Sequence, residues 1–144
     1  MGIYISSTDL ETAIEPEEFL QLFDRIHHPP TTADATILAA AIEAGEGRFH
    51  RYITRRYKLP LDKTDPILMA FIRRILVDFA WEAAYVRSDM IDQELLARNA
   101  DHVKDLEDIR DGHSDIPATT PPPAPSTDNK VSWSSGGREF NGLP

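Results

Sequence analysis

The chain has 144 residues, 41% of them hydrophobic, a formal net charge of -9 and no cysteine. That size fits one domain with a modest core, the missing thiols exclude disulfides and thiolate catalysis and suggest a reducing cytoplasm, and the charge argues against a protein that neutralises many DNA phosphates. No apolar run approaches the roughly 20 residues of a membrane span, and the opening MGIYISSTDL lacks the basic and apolar regions of a signal peptide, so a soluble protein is expected.

Five helical segments and no strand are read in residues 1–112. SSTDLETAI offers Thr8 as an N-cap with Glu11 three residues on, and Leu10 and Ile14 form a short apolar face. Pro16 fits the first turn of the next helix, PEEFLQLFDRI, where Glu17 and Glu18 suit the positive end of the dipole. HHPPTT breaks it. A third helix is expected from Thr32 or Asp34 to about Tyr57, since Leu38, Ile42, Gly45, Phe49, Tyr52 and Ile53 recur at steps of three or four. Gly45 and Gly47 would each cost such a helix about 1 kcal/mol, unless a second backbone passes close by.

Thr64 or Asp65 should cap the fourth helix, with Pro66 in its first turn. PILMAFIRRILVDFAWEAAYV is apolar around most of its circumference and polar along Arg74, Asp78 and Glu82, as befits the buried centre of a bundle. The fifth helix is expected to begin at Ser88 or Asp89, to pack through Leu96, Ala100, Val103, Leu106 and Ile109, and to stop at Gly112. From His113 the composition changes, with six of the eleven prolines. The sequence therefore divides into a helical domain, 1–112, and an extended Pro/Gly/Ser-rich arm, 113–144. Residues 113–129, if polyproline-like, would reach about 50 Å at 3.1 Å per residue.

Nothing in the sequence resembles a catalytic constellation. The histidines at 27, 28, 50, 102 and 113 match no zinc spacing, there is no phosphate loop, and no serine sits in a nucleophile elbow. No metal, cofactor or enzymatic activity is expected. Two features suit contact with another macromolecule. RFHRYITRRYK places Arg48, Arg51 and Arg55 at i, i+3 and i+7, with Arg56 and Lys58 close by and Tyr52 and Tyr57 interleaved. Such a stripe could grip a nucleic-acid backbone, complement its own helix dipole, or meet an acidic neighbouring subunit; the acidic chain as a whole favours the last two. Asp101, Asp105 and Glu107 on the fifth helix are candidates for the acidic side. The second feature is VSWSSGG, where Val131 and Trp133 alternate with serines, as in a peptide that adds to a partner's sheet edge; a tail that folds back on its own bundle is the alternative. Phe140 follows in the same terminal stretch.

In order and in detail these segments resemble the head-tail connector (adaptor) proteins of Mu-like tailed phages. The resemblance rests on YISSTDLETAI, EEFLQLFDR, RYITRRYKLPL, PILMAFIRRILVDFAWEAAY and LEDIRDG, with Tyr57 to Leu61 its most specific part. The ending, Arg138, Glu139 and Phe140 after a small-residue segment, is similar to that family's habitual close, although Gly136 and Gly137 stand where prolines are common. The resemblance implies a structural subunit of the virion neck, made in the host cytoplasm, forming a ring, dodecameric like the portal, around a channel through which genomic DNA passes without sequence-specific contact. Its partners would be further copies of itself, the portal protein, and a stopper or tail terminator protein. The arm, through Val131, Trp133, Arg138 and Phe140, would clamp another subunit. Two alternatives stay open: a small helical DNA-binding or regulatory protein using the basic stripe, and a tail-side completion protein or assembly chaperone.

Overall fold

Ser6 opens the first helix, and it does so two residues before the expected Thr8. In the computed structural model, which describes residues 2–24, 31–87 and 92–125, the Asp9 carboxylate accepts from the Ser6 backbone N–H at 2.7 Å and from its hydroxyl at 2.9 Å, while Ser6 Oγ accepts from Asp9 N. This reciprocal box satisfies donors at both ends of the first turn. Thr8 and Glu11 lie inside α1 (Ser7–Ala13), and the short helix turns Leu10 into the core. Pro16 starts α2 (Pro16–Phe23) at its first position, as expected, and Phe19 and Phe23 stack with centroids 5.0 Å apart. Asp24 closes α2 and accepts the backbone N–H groups of Thr31 and Thr32 at 2.7 and 2.8 Å.

Asp34 caps α3 (Ala35–Ile53) by accepting from Thr36 N and Ile37 N. The helix stops at Ile53, short of the expected Tyr57. There Arg56 N and Tyr57 N both donate to Ile53 O, and the turn swings Tyr57 and Leu61 into the core. Asp65 caps α4 (Pro66–Arg87) through Ile67 N and Leu68 N, again with Pro66 first. Helix α4 is the centre of the bundle: Leu68, Ile72, Ile75, Leu76, Phe79 and Ala80 are essentially inaccessible.

The closest helix crossing is between α3 and α4. A Cβ built on Gly45 would lie 3.0 Å from Ala80 N and 3.3 Å from Leu76 O, so the missing side chain lets two backbones meet. The same test at Gly47 finds open space. The close-approach expectation therefore holds at Gly45 and fails at Gly47.

Helix α5 (Gln93–Asp111) is capped by Asp92, which accepts from Glu94 N and Leu95 N, while the expected starts, Ser88 and Asp89, lie outside the described residues. Its left-handed terminator is Gly112, at φ 85°. Its buried face keeps Leu106 and Ile109 of the expected stripe, with Val103 packed at its edge, but the first half is rotated. Leu95, Asn99, His102, Leu106 and Ile109 point inward, whereas Leu96 is 38% exposed and Ala100 faces out. The cause lies on α4, whose polar residues Asp78 and Glu82 give Asn99 and His102 partners inside the interface. Among the described residues the fold is thus an all-α bundle of five helices.

Candidate assembly surfaces

Of the five cations between residues 48 and 58, the fold engages two. Arg48 donates to Glu82 Oε2 at 2.7 Å and lies 4.3 Å from the centroid of the Phe79 ring. Glu82 Oε2 also accepts from Asn99 Nδ2 at 2.5 Å, so Arg48 is one corner of a contact that joins α3, α4 and α5. Arg56 donates to the carbonyls of Ile109 and Ser114, each at 2.8 Å, and to Asp115 at 3.1 Å, with Tyr57 beneath its guanidinium. Arg51, Arg55 and Lys58 are exposed.

The acidic candidates divide similarly. Asp101 and Asp105 are exposed on α5, and Glu107 is half-buried. The C-terminal ends of α3 and α5 lie side by side in one chain, tied by Arg56 to Ile109 O and by Arg110 over the Tyr52 ring at 5.9 Å. The Asp111 carboxyl there is held below its ordinary range, first by the hydrogen bond from Arg110, with the charges of Arg110, His113 and Arg55 adding to it. Arg56 of the basic stripe is thus held by α5 and the start of the arm, whereas among the described residues no hydrogen bond or ion pair joins the stripe to Asp101, Asp105 or Glu107.

Asp78 anchors a second polar cluster. Its carboxylate accepts from His102 Nε2 at 2.8 Å and from Arg98 Nε and Nη2 at 3.3 Å. Burial opposes its charge, but the hydrogen bonds from His102 and Arg98 outweigh burial and hold the pKa below the usual value. Asn99 Nδ2 also donates to the Asp78 carbonyl at 3.1 Å. Such a network fixes the register of α5 on α4, because a slide by one turn would leave every member unpaired.

The arm's described portion, residues 113–125, follows a track on the body. Ile116 is 4% exposed and its N–H donates to Tyr57 Oη at 3.2 Å. Asp65, besides capping α4, accepts from Thr119 N at 2.6 Å, Thr119 Oγ1 at 3.0 Å and Thr120 N at 3.4 Å. Burial works against this carboxylate, yet the bonds from Leu68, Thr119 and Thr120 lower its pKa. Lys58 N then donates to Pro123 O at 2.8 Å. The free reach expected from His113 is therefore shortened, since the chain is still seated on the body at Pro123. Val131, Trp133, Arg138 and Phe140, and the pair His27 and His28, lie outside the described residues.

A protein-family model described as Bacteriophage Mu, Gp36 matches residues 4–135. The chain belongs to the bacteriophage Mu Gp36 family. No curated protein matches it.

The span shared with the Gp36 family takes in all five helices, the docked part of the arm, and Val131 and Trp133. Arg138 and Phe140 fall beyond it. The chain is a Mu-like phage protein, and no helix among its described residues is long and apolar enough to cross a membrane.

One site that the sequence reading overlooked pins the N-terminus of this Gp36-family fold. The Glu46 carboxylate, 6% exposed, accepts from Ile3 N at 2.9 Å, Tyr4 N at 2.8 Å and Ile5 N at 3.4 Å. Tyr4 Oη in turn accepts from Leu61 N at 2.9 Å, and its ring stands edge-on to His50 at 5.6 Å. Burial raises the Tyr4 pKa, while the Leu61 bond pulls it down and the Glu46 charge adds to the rise. Burial also lowers the His50 pKa against the pull of Glu46. The available signal was Glu46 itself, an acid four residues after Ile42 on the inward face of α3.

Proposed function

We propose that this Gp36-family protein is a structural virion protein, a head-tail connector subunit that forms a ring between the portal and the stopper or tail completion proteins, around the DNA channel. It acts without catalysis or cofactor, and genomic DNA passes it without sequence-specific contact. The observation that carries the reading is the seated arm. Asp65, Tyr57 and Lys58 hold residues 116–123 against the body, so the remaining residues, 126–144, leave from a fixed point with Val131, Trp133 and Phe140 still to place. A rigid body with a fixed exit lowers the entropic cost of delivering an adhesive segment to another chain.

The DNA-binding alternative is weakened by the engagement of Arg48 and Arg56, which leaves Arg51, Arg55 and Lys58 as the exposed members of the stripe on a chain of net charge -9. Three contacts would give a weak affinity with a shallow salt dependence, a log–log slope of about −2.7. Native mass spectrometry of the full chain, mixed with the portal ring of the same phage, tests the proposal. Stoichiometric addition to the portal, weakened by Trp133→Ala with Phe140→Ala while helix content stays intact, is the expected result. A chain that ignores the portal and binds duplex DNA in low salt overturns it.

A further inference from the structure

The exposed side of α3 ends in a row of residues that the subunit leaves unused. Gly47, Arg51 and Arg55 are exposed and follow one another at steps of four, Arg55 in the turn that continues α3 past Ile53. Gly47 lies about 180° round the helix from Leu38, and Arg51 about 180° from Ile42. Both of those residues are buried, so the row points away from the core. Arg51 and Arg55 make no hydrogen bond or ion pair among the described residues. A Cβ on Gly47 would meet nothing within 4 Å, so the helical cost of this glycine, about 1 kcal/mol, is not offset inside the subunit as it is at Gly45. A row on α5 has the same pitch and the opposite charge. Ala97, Asp101 and Asp105 are exposed at the same steps of four, and the two carboxylates likewise lack partners among the described residues. Of the cations on α5, Arg98 is held by Asp78 and Arg110 by Asp111, which leaves Lys104 beside the row.

The two rows cannot meet within one chain. Arg48 and Asn99 share Glu82, and further along Arg56 reaches Ile109 O, so α3 and α5 run parallel and side by side. Arg110, over the Tyr52 ring, marks the flank of α5 turned toward α3. Asp101 lies about 180° round the helix from Arg110, so the acidic row is on the flank turned away. We propose that the acidic row docks on the basic row of a second copy of this chain, with Gly47 against Ala97, Arg51 paired with Asp101 and Arg55 with Asp105. The register matches at each position because both rows advance about 6 Å per step. Rows of this spacing lie alongside each other when two helices cross at about −50°, the commonest packing class. The missing side chain at Gly47 and the small one at Ala97 let the backbones approach at one end, and the long arginines bridge the other. A contact between different patches on opposite flanks is head-to-tail. Rotation about an axis near the shared direction of α3 and α5 brings one copy's α5 beside the next copy's α3 without reversing it. This deepens the connector reading, on which it rests for the ring, by naming the contact between neighbours.

The test uses full-length chains, which have no native cysteine. Gly47→Cys chains are mixed with Ala97→Cys chains, both alone and on the portal ring of the same phage, and oxidised; Gly47→Cys with Glu11→Cys is the control. Chains with a single cysteine cannot cross-link internally, and a disulfide needs Cα atoms about 4.4–6.8 Å apart. The expected product is a dimer joined from position 47 to position 97, absent from the control. Charge reversal checks the register. Arg51→Asp with Arg55→Asp, or Asp101→Arg with Asp105→Arg, should each weaken self-association by about tenfold or more. The two variants mixed in equal amounts should restore it, since every contact in an alternating ring again joins opposite charges. No 47–97 product in chains that do add to the portal, or a mixture that associates no better than its components, overturns the inference and leaves the connector reading standing. Chains that form the product yet ignore the portal support the inference and overturn the connector reading; chains that do neither overturn both.

Discussion

Gly45→Ala and Gly47→Ala form a matched pair that isolates the α3–α4 crossing. Each replaces a glycine within α3 and so gains about 1 kcal/mol of helix propensity. At Gly47 the new methyl meets nothing within 4 Å, and the gain should appear as added stability. At Gly45 the methyl would lie 3.0 Å from Ala80 N and 3.3 Å from Ala80 Cα and Leu76 O, all backbone atoms of α4. Backbone cannot rotate out of the way as a side-chain tip would, so the two helices must separate by a few tenths of an ångström. Overpacking of that kind costs about 1–3 kcal/mol. Because the propensity gain is common to both, the difference between the variants reports the crossing alone. Urea unfolding followed by far-UV circular dichroism should place Gly45→Ala about 1–3 kcal/mol below Gly47→Ala. A difference under about 0.5 kcal/mol, the scatter of unremarkable surface changes, would refute the close crossing.

Asp78→Asn should destabilise by about 1–3 kcal/mol, since it removes the charge that Arg98 pairs with and turns an NH2 group toward one of the donors, Arg98 or His102, that the carboxylate accepted. Its folded pKa is lowered, so the wild-type contribution is fully present above the ordinary carboxylate range and is lost as pH falls through that lowered value; stability measured against pH should be flatter for the variant in that acidic window. Tyr4→Phe removes the acceptor for Leu61 N and should cost about 1–3 kcal/mol, while Glu46→Ala should speed hydrogen exchange at Ile3 and Tyr4 well before global unfolding. Ile116→Ala should cost about 2–4 kcal/mol if the arm's track is part of the folded body, and limited proteolysis should then cut within 113–125; unchanged stability and resistance would detach the track from the fold.

The helices were legible where local chemistry decides. Pro16 and Pro66 marked starts, the caps were narrowed to pairs of which Asp34 and Asp65 serve, and Gly112 marked a stop, because each acts through its own backbone or through one two or three residues away. The errors arose where two local solutions competed. Ser6 with Asp9 and Thr8 with Glu11 have the same spacing, and burial of Leu10 does not distinguish them in sequence. The face of α5 was misread because hydrophobicity alone was used to orient it: Leu96 and Ala100 looked inward, yet Asn99 and His102 are buried because α4 offers Asp78 and Glu82 there. A polar stripe on an otherwise apolar helix is a request for polar partners, and that rule would have found them. The seated arm was harder to foresee, since proline-rich composition suggests extension but says nothing about a surface to lie on.

The same preference for internal pairing bears on the protein's outer charge. Arg48, Arg56 and Arg98 are held by carboxylates or carbonyls of other elements, and Arg110 by its neighbour Asp111. Asp78 is the buried acid in these pairs and Glu82 the half-buried one, whereas Asp101 and Asp105 stay exposed. A cation that bridges two elements cannot also reach a phosphate without giving up its partner, so fewer arginines can meet DNA than the sequence stripe suggests. If copies of this chain surround a channel, a surface dominated by exposed carboxylates repels the polymer and lets it slide. The prediction that follows is Arg51→Glu with Arg55→Glu, two exposed cations removed from the pairing network. The bundle should remain folded, with stability within about 0.5 kcal/mol, while binding to the portal ring or between copies weakens in native mass spectrometry. Assembly unchanged by this double reversal would take the basic stripe out of the proposed interface and leave the arm as the proposed connector's means of attachment.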